Sequence, residues 1–279
     1  MDYHGHQALR VGAIELKVAD LGRAESFYRD ALGFRVARVD DGSAVVSADG
    51  VTPLVTLRHA PGAKPRGRTA GLFHVAFLLP SRTALGGFLR RAIDTQLPIQ
   101  GAADHRVSEA IYLQDPDDHG IEIYADTADS GWRNEAGELD MGTDPFDYSG
   151  VYYAAEEADG IPAGTTLGHL HLAVRDLEKS LSFYRDVVGF AVTADGYPGA
   201  RFLSSSGYHH HLALNVWERV LPRVEGRAGL AAATVFFPAC EAAAAAAGRA
   251  RAAGCPEASD DRGTAFLDPD GTLVRFTVR

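Results

Sequence analysis

The stretch GHLHLAVRDLEKSLSFYRDVVGF at 168–190 decides the fold, because a second copy, GAIELKVADLGRAESFYRDALGF, lies at 12–34. Over 15–34 and 171–190 the copies align without a gap at an offset of 156 and agree at 11 of 20 positions. Self-similarity of this kind marks a repeat architecture. In each copy a short alternating strand ends at Asp20 or Asp176. A short carboxylate there suits a helix start, since it can accept from the free N–H groups of a first helical turn. Leu21, Ala24, Phe27, Tyr28 and Leu32 follow at helical spacing, and Gly33 suits the left-handed position that ends a helix.

A weaker echo relates GLFHVAFLLPSRTALGGFL (71–89) to GLAAATVFFPACEAAAAAA (229–247). Each leads to an Asp-Pro-Asp turn, at 115–117 and 268–270, and then to a last strand, GIEIYAD or LVRFTVR. The chain therefore reads as four units of strand, helix and about three strands, at 10–57, 71–125, 168–217 and 229–279. That is an α+β fold of four βαβββ units, divided by chain order into 8–126, a linker at 127–166 and 167–279. The linker is rich in Asp, Gly and Ala without sustained periodicity, and Trp132, Met141 and Phe146 are its expected anchors. The alanine-rich run 242–253 reads as a helix, alanine being the best helix former.

Composition narrows the function. Of 279 residues, 46% are hydrophobic and 23% charged, which excludes a disordered chain, a collagen-like fibre and a disulfide-stapled miniprotein. The net charge of −10 argues against nonspecific binding to nucleic acid or an anionic membrane. Cys240 and Cys255 cannot build a disulfide framework or a thiolate zinc site, and read as two small buried thiols in a reducing compartment. With no signal core at MDYHGHQALR and no long apolar run, the expected location is cytoplasmic.

Repeat position also sorts the 11 histidines. The equivalent positions on the first strands of the units are Ala13, His74, His169 and Ala232, and on the last strands of the second and fourth units Glu122 and Arg275. Alanine has nothing to donate and arginine cannot lose its proton to become a ligand. One complete two-histidine, one-carboxylate set results: His74, His169 and Glu122. Such a facial triad with open positions is the usual arrangement in non-haem Fe(II) oxygenases. Fe²⁺ with one carboxylate leaves a charge of +1, which a bidentate monoanion such as a catecholate would neutralise.

These repeats, with HHHLALNVW (209–217) and YLQDPDDHGIEIYAD (112–126), resemble the vicinal oxygen chelate superfamily, and within it the two-domain, type I extradiol dioxygenases. The likeness covers nearly the whole chain. It implies an Fe(II)-dependent enzyme, with Mn(II) as an alternative metal, that cleaves a small aromatic diol with O₂. Its ligands would be His169, His74 and Glu122. Tyr112 would stand near the substrate hydroxyls and His105 near substrate or peroxide. The acid–base histidine falls in the run 209–211, where the alignment favours His210; His209 and His211, with Tyr112, are the expected substrate contacts. Strand alternation sets His210 on one face and its two neighbours on the other, and which face meets the metal is open. His119 reads as a turn residue. The oligomeric state is open, a homo-oligomer included.

Neither sequential half holds all three ligands. Pairing the second unit with the third gathers them into one cup and leaves the first and fourth to form a metal-free cup with Ala13, Ala232 and Arg275. A glyoxalase-like Zn²⁺ or Ni²⁺ isomerase or lyase is the enzyme alternative, and it commonly needs a second glutamate. A non-enzymatic drug-binding protein of the same fold would need no metal triad at all.

Overall fold

The computed structural model describes residues 2–156, 159–260 and 263–278, so residue 1, residues 157–158 of the linker and residues 261–262 and 279 of the last unit lie outside it. The first unit is β1 (Arg10–Val18), α1 (Leu21–Ser26), β2 (Arg35–Asp40), β3 (Ser43–Ser47) and β4 (Val55–His59). The second is β5 (Gly71–Leu78), α2 (Arg82–Asp94), β6 (Gly101–Asp104), β7 (Ser108–Gln114) and β8 (Gly120–Asp126). After the linker, with its short α3 (Tyr148–Tyr153), comes β9 (Thr166–Ala173), α4 (Leu177–Ser182), β10 (Ala191–Ala194), β11 (Ala200–Ser204) and β12 (Leu212–Asn215). The fourth unit is β13 (Gly229–Phe237), α5 (Cys240–Ala252), β14 (Glu257–Asp260), β15 (Gly263–Leu267) and β16 (Leu273–Val278). Each unit is βαβββ, as the repeat requires.

Two eight-stranded sheets form, in the orders β14-β15-β16-β13-β1-β4-β3-β2 and β10-β11-β12-β9-β5-β8-β7-β6. Each sheet thus joins one unit from each sequential half of the chain: first with fourth, second with third. The joints are the antiparallel pairs β1·β13 and β5·β9. Alternation sends Ile121, Ile123, Leu170 and Leu172 into a core shared with the unit helices, and β5, whose register against β9 shifts between Leu72 and His74, adds both Leu72 and Val75 to it. The opposite face of the second sheet carries His74, Glu122, His169 and His171.

The sequential halves are tied differently. Asp20 and Asp176 cap α1 and α4 as expected, accepting from the Arg23 and Lys179 amides at 2.9 and 3.1 Å. Both helices then widen into a π-helical turn, Phe27–Ala31 and Phe183–Val188, where the spacing predicted a plain α-helix. Inside these turns Tyr28 and Tyr184 are buried and reach Asp115 and Asp268, at 3.5 and 2.9 Å, in the Asp-Pro-Asp turns of the following units. Arg23–Asp117 and Arg175–Asp270 ion pairs at 2.7 and 2.6 Å reinforce them. Sheets therefore join units across the chain, while helix-to-turn contacts join neighbours along it.

Two expectations are corrected. Cys240 is exposed and Cys255 only half-buried, because the buried stripe of α5 runs through Ala246, Ala247 and Ala250 instead. The linker is not wholly irregular: α3 packs on α2, and Trp132 and Phe146 are buried as anchors. Among the described residues no helix is long and apolar enough to cross a membrane.

The crossed pairing predicts that residues 8–126 expressed alone bind no divalent metal, since β9 and its histidine are missing. Co-expression with 127–279 should restore one site per pair of fragments by metal analysis. One equivalent of metal held by either fragment alone would place the site elsewhere.

Candidate metal centre and its cavity

The β5·β9 register sets Ala76 opposite His169 and His74 opposite His171. The parallel β5·β8 pair sets Ala76 beside Glu122. His74, His169 and Glu122 therefore surround one small alanine. Their donor atoms converge: His74 Nε2 and His169 Nε2 lie 2.9 and 3.2 Å from the same Glu122 oxygen and 3.3 Å from each other. All three side chains are buried. Burial lowers the His169 pKa to about 4 against the pull of Glu122, leaving a neutral imidazole with a lone pair. Burial alone would raise the Glu122 carboxyl, and the two adjacent imidazoles bring it well below the usual glutamate value. Two imidazoles and a carboxylate with donor atoms this close together make a set that fits a divalent cation.

Beside them is a cavity of about 430 Å³ lined largely by apolar groups, including Phe73, Phe202 and Trp217. Tyr112, paired across the sheet with Glu122, lines it together with His105. His105 Nδ1 lies 2.7 Å from the Gly142 carbonyl and Nε2 lies 2.6 Å from the Tyr112 hydroxyl. A carbonyl only accepts, so the ring donates to Gly142 from Nδ1, and the Tyr112 hydroxyl stands between Nε2 and the Glu122 carboxylate, where burial and that carboxylate raise its pKa well above the usual value. The linker thus completes the cavity wall through Met141, Gly142 and Thr143.

The profile of the Glyoxalase/Bleomycin resistance protein/Dioxygenase superfamily matches residues 10–123 and 166–276. The chain belongs to that superfamily. This is the vicinal oxygen chelate superfamily, which the repeats resemble. The chain is 37% identical to a Bacillus subtilis (strain 168) protein named catechol-2,3-dioxygenase, over 98% of its own length and 99% of the other. A solved structure from Bacillus subtilis subsp. subtilis strain 168 superposes with a TM-score of 0.67 at 14% identity, covering 98% of this chain and 86% of that one. Glyoxalase I from Zea mays superposes at 0.61 and 18% identity, covering 99% and 94%. At such identities the structural likenesses show the fold alone.

In this member of the superfamily the three consecutive histidines go to different places. The run lies in a bend just before β12, so simple strand alternation does not govern it. His210 lines the cavity with its ring centroid 4.1 Å from that of His169. His209 and His211 are fully buried away from the cavity, which corrects their reading as substrate contacts. His209 is held by Asp126, and His211 by Ser204 and the Tyr3 carbonyl. His119 does sit in its turn, but wholly buried, with Nδ1 2.7 Å from Asp115.

Sequence reasoning passed over His171, which faces the cavity and takes a hydrogen bond of 2.9 Å from the Asn215 amide. The repeat held a signal for it, because its equivalent in the first unit is Glu15. Asp126 and Tyr124 were also missed, although alternation from Glu122 sets all three on one face of β8. In the other sheet Arg275 occupies the Glu122 position and pairs with Glu15 at 3.0 Å, and Arg58 pairs with the same carboxylate from the neighbouring strand β4, so cations stand where the counterpart gathers ligands.

His74→Ala, His169→Ala and Glu122→Ala should each fold, by circular dichroism, and lose bound metal. Full occupancy in any one removes that residue from the site. Without metal, acid should destabilise the protein. Burial lowers His169 to about 4 and His211 to about 3, and His171 and His210 well below the ordinary 6.5. Between these values and 6.5 the unfolded chain binds more protons than the folded one, so stability falls as pH drops from about 6.5 toward 4. A melting temperature constant over that window would contradict the buried, neutral state of these rings.

Proposed function

We propose that the protein is an Fe(II)-dependent extradiol ring-cleaving dioxygenase acting on a catechol-type substrate with O₂. One observation carries the reading: a buried two-histidine, one-carboxylate set opens onto an apolar cavity large enough for a substituted aromatic ring, with a histidine on one side and a tyrosine on the other. The 37% identity to a protein named catechol-2,3-dioxygenase supports it. Glu122 is the one carboxylate among the described cavity-lining residues, which disfavours the glyoxalase-like alternative with its second glutamate.

His74, His169 and Glu122 would hold the iron. When bound, it supplies chelation of both catechol oxygens and a path for electrons to O₂; Mn(II) suits the same donors. The chain's own residues do the rest. Phe73, Phe202 and Trp217 provide apolar walls that orient the ring and exclude water. His210, neutral through burial, takes a substrate hydroxyl proton and returns it to the leaving oxygen. The Tyr112 hydroxyl, held at the cavity wall between His105 and the Glu122 carboxylate, is placed to contact the substrate hydroxyls.

Protein loaded anaerobically with Fe(II) should turn catechol and O₂ into a yellow ring-opened product, and colourless mixtures across a broad catechol panel would sink the reading. His210→Phe should keep its iron and its substrate affinity while turning over about 10²-fold more slowly. Normal turnover would move the proton-transfer role to another group.

A further inference from the structure

Behind His210 lies a chain of polar side chains that neither the metal nor the cavity uses. His210 Nδ1 is 2.8 Å from His209 Nδ1, and His209 Nε2 is 3.0 Å from Asp126 Oδ1. The same oxygen takes the Tyr208 hydroxyl at 3.1 Å, and Tyr208 is 2.7 Å from the Tyr124 hydroxyl. The order of donors follows from chemistry. A carboxylate only accepts, so His209 donates from Nε2. A ring with its single proton at Nε2 has only a lone pair at Nδ1, so His210 donates there. His210 Nε2 is left without a proton. It makes no hydrogen bond among the described residues, and the ring lines the cavity.

We propose that Asp126 and His209 are positioning residues that fix the tautomer of His210, keeping its proton on Nδ1 and offering Nε2 to the cavity as a proton acceptor. The bend before β12 makes this feasible, because neighbouring side chains on a regular strand point to opposite faces and could not meet. Trp132 and Tyr208 cover His209, with ring centroids at 5.1 and 3.9 Å, and the ring is inaccessible to solvent. Water therefore cannot compete for its nitrogens. When a substrate O–H bond breaks and an N–H bond forms at His210 Nε2, the Nδ1 proton can shift to His209 Nδ1. The positive charge then rests on His209 beside the Asp126 carboxylate, and His210 is a neutral donor from Nε2. Reversal of the two transfers restores the starting state. This consequence for turnover rests on the ring-cleavage reading; the tautomer does not.

The test is long-range ¹H–¹⁵N correlation on metal-free protein labelled in histidine, with His210 assigned by loss of its signals in His210→Gln. The wild type should show His210 protonated at Nδ1 and bare at Nε2. Asp126→Leu and His209→Phe should release it toward the Nε2–H form. His209→Gln should preserve it, because the amide offers both an acceptor and a donor. An Nε2–H ring in the wild type overturns the proposal, and that spectrum decides even if a variant fails to fold. So does an unchanged tautomer in both folded disruptive variants. With Fe(II) loaded, Asp126→Leu should lose about tenfold or more in kcat with KM little changed, and His209→Gln should recover most of it. Absence of ring cleavage in the wild type would count against the proposed function alone, leaving the tautomer result to stand.

Discussion

The antiparallel joint between β5 and β9 is the contact on which the site depends. Its register brings His169 diagonally against His74, and the parallel strand β8 adds Glu122 from the other side of β5. A slip of one residue would turn every histidine of one strand from the cavity into the core. The register is held from the far face, where Leu72, Val75, Leu170 and Leu172 are buried in the shared core. Hydrophobic packing on one side thus positions polar donors on the other.

Those donors share a common logic. A buried imidazole can be donor or acceptor at either nitrogen, and it is directed by a neighbour that can play only one part. The Gly142 carbonyl plays that part for His105 and the Asp126 carboxylate for His209. The linker supplies the Gly142 carbonyl and the Trp132 cover, so a segment without repeat counterpart finishes one wall of the cavity and shields His209 behind His210. In the other sheet Arg275 and Arg58 pair with Glu15, and alanines stand at the positions equivalent to His74 and His169, so that cup does not repeat the donor set.

The repeat at 12–34 and 168–190 determined the four βαβββ units, because strand alternation, an aspartate cap and a terminal glycine are local signals. Comparing repeat positions also singled out His74, Glu122 and His169, and requiring one complete donor set implied the crossed pairing of units. What the sequence left open was local geometry. The bend before β12 separates His210 from its neighbours in a way that a period of two does not describe. The π-helical turns at Phe27 and Phe183 break the 3.6 period to bury a tyrosine. Burial of His119 and exposure of Cys240 depend on which face of a turn or helix meets the core. Asp126 stands 83 residues from His209, and only the tertiary fold brings them to 3.0 Å. Local patterns are written in neighbouring residues, whereas the proton carried by a buried histidine is set by whichever distant acceptor the folded chain places beside it.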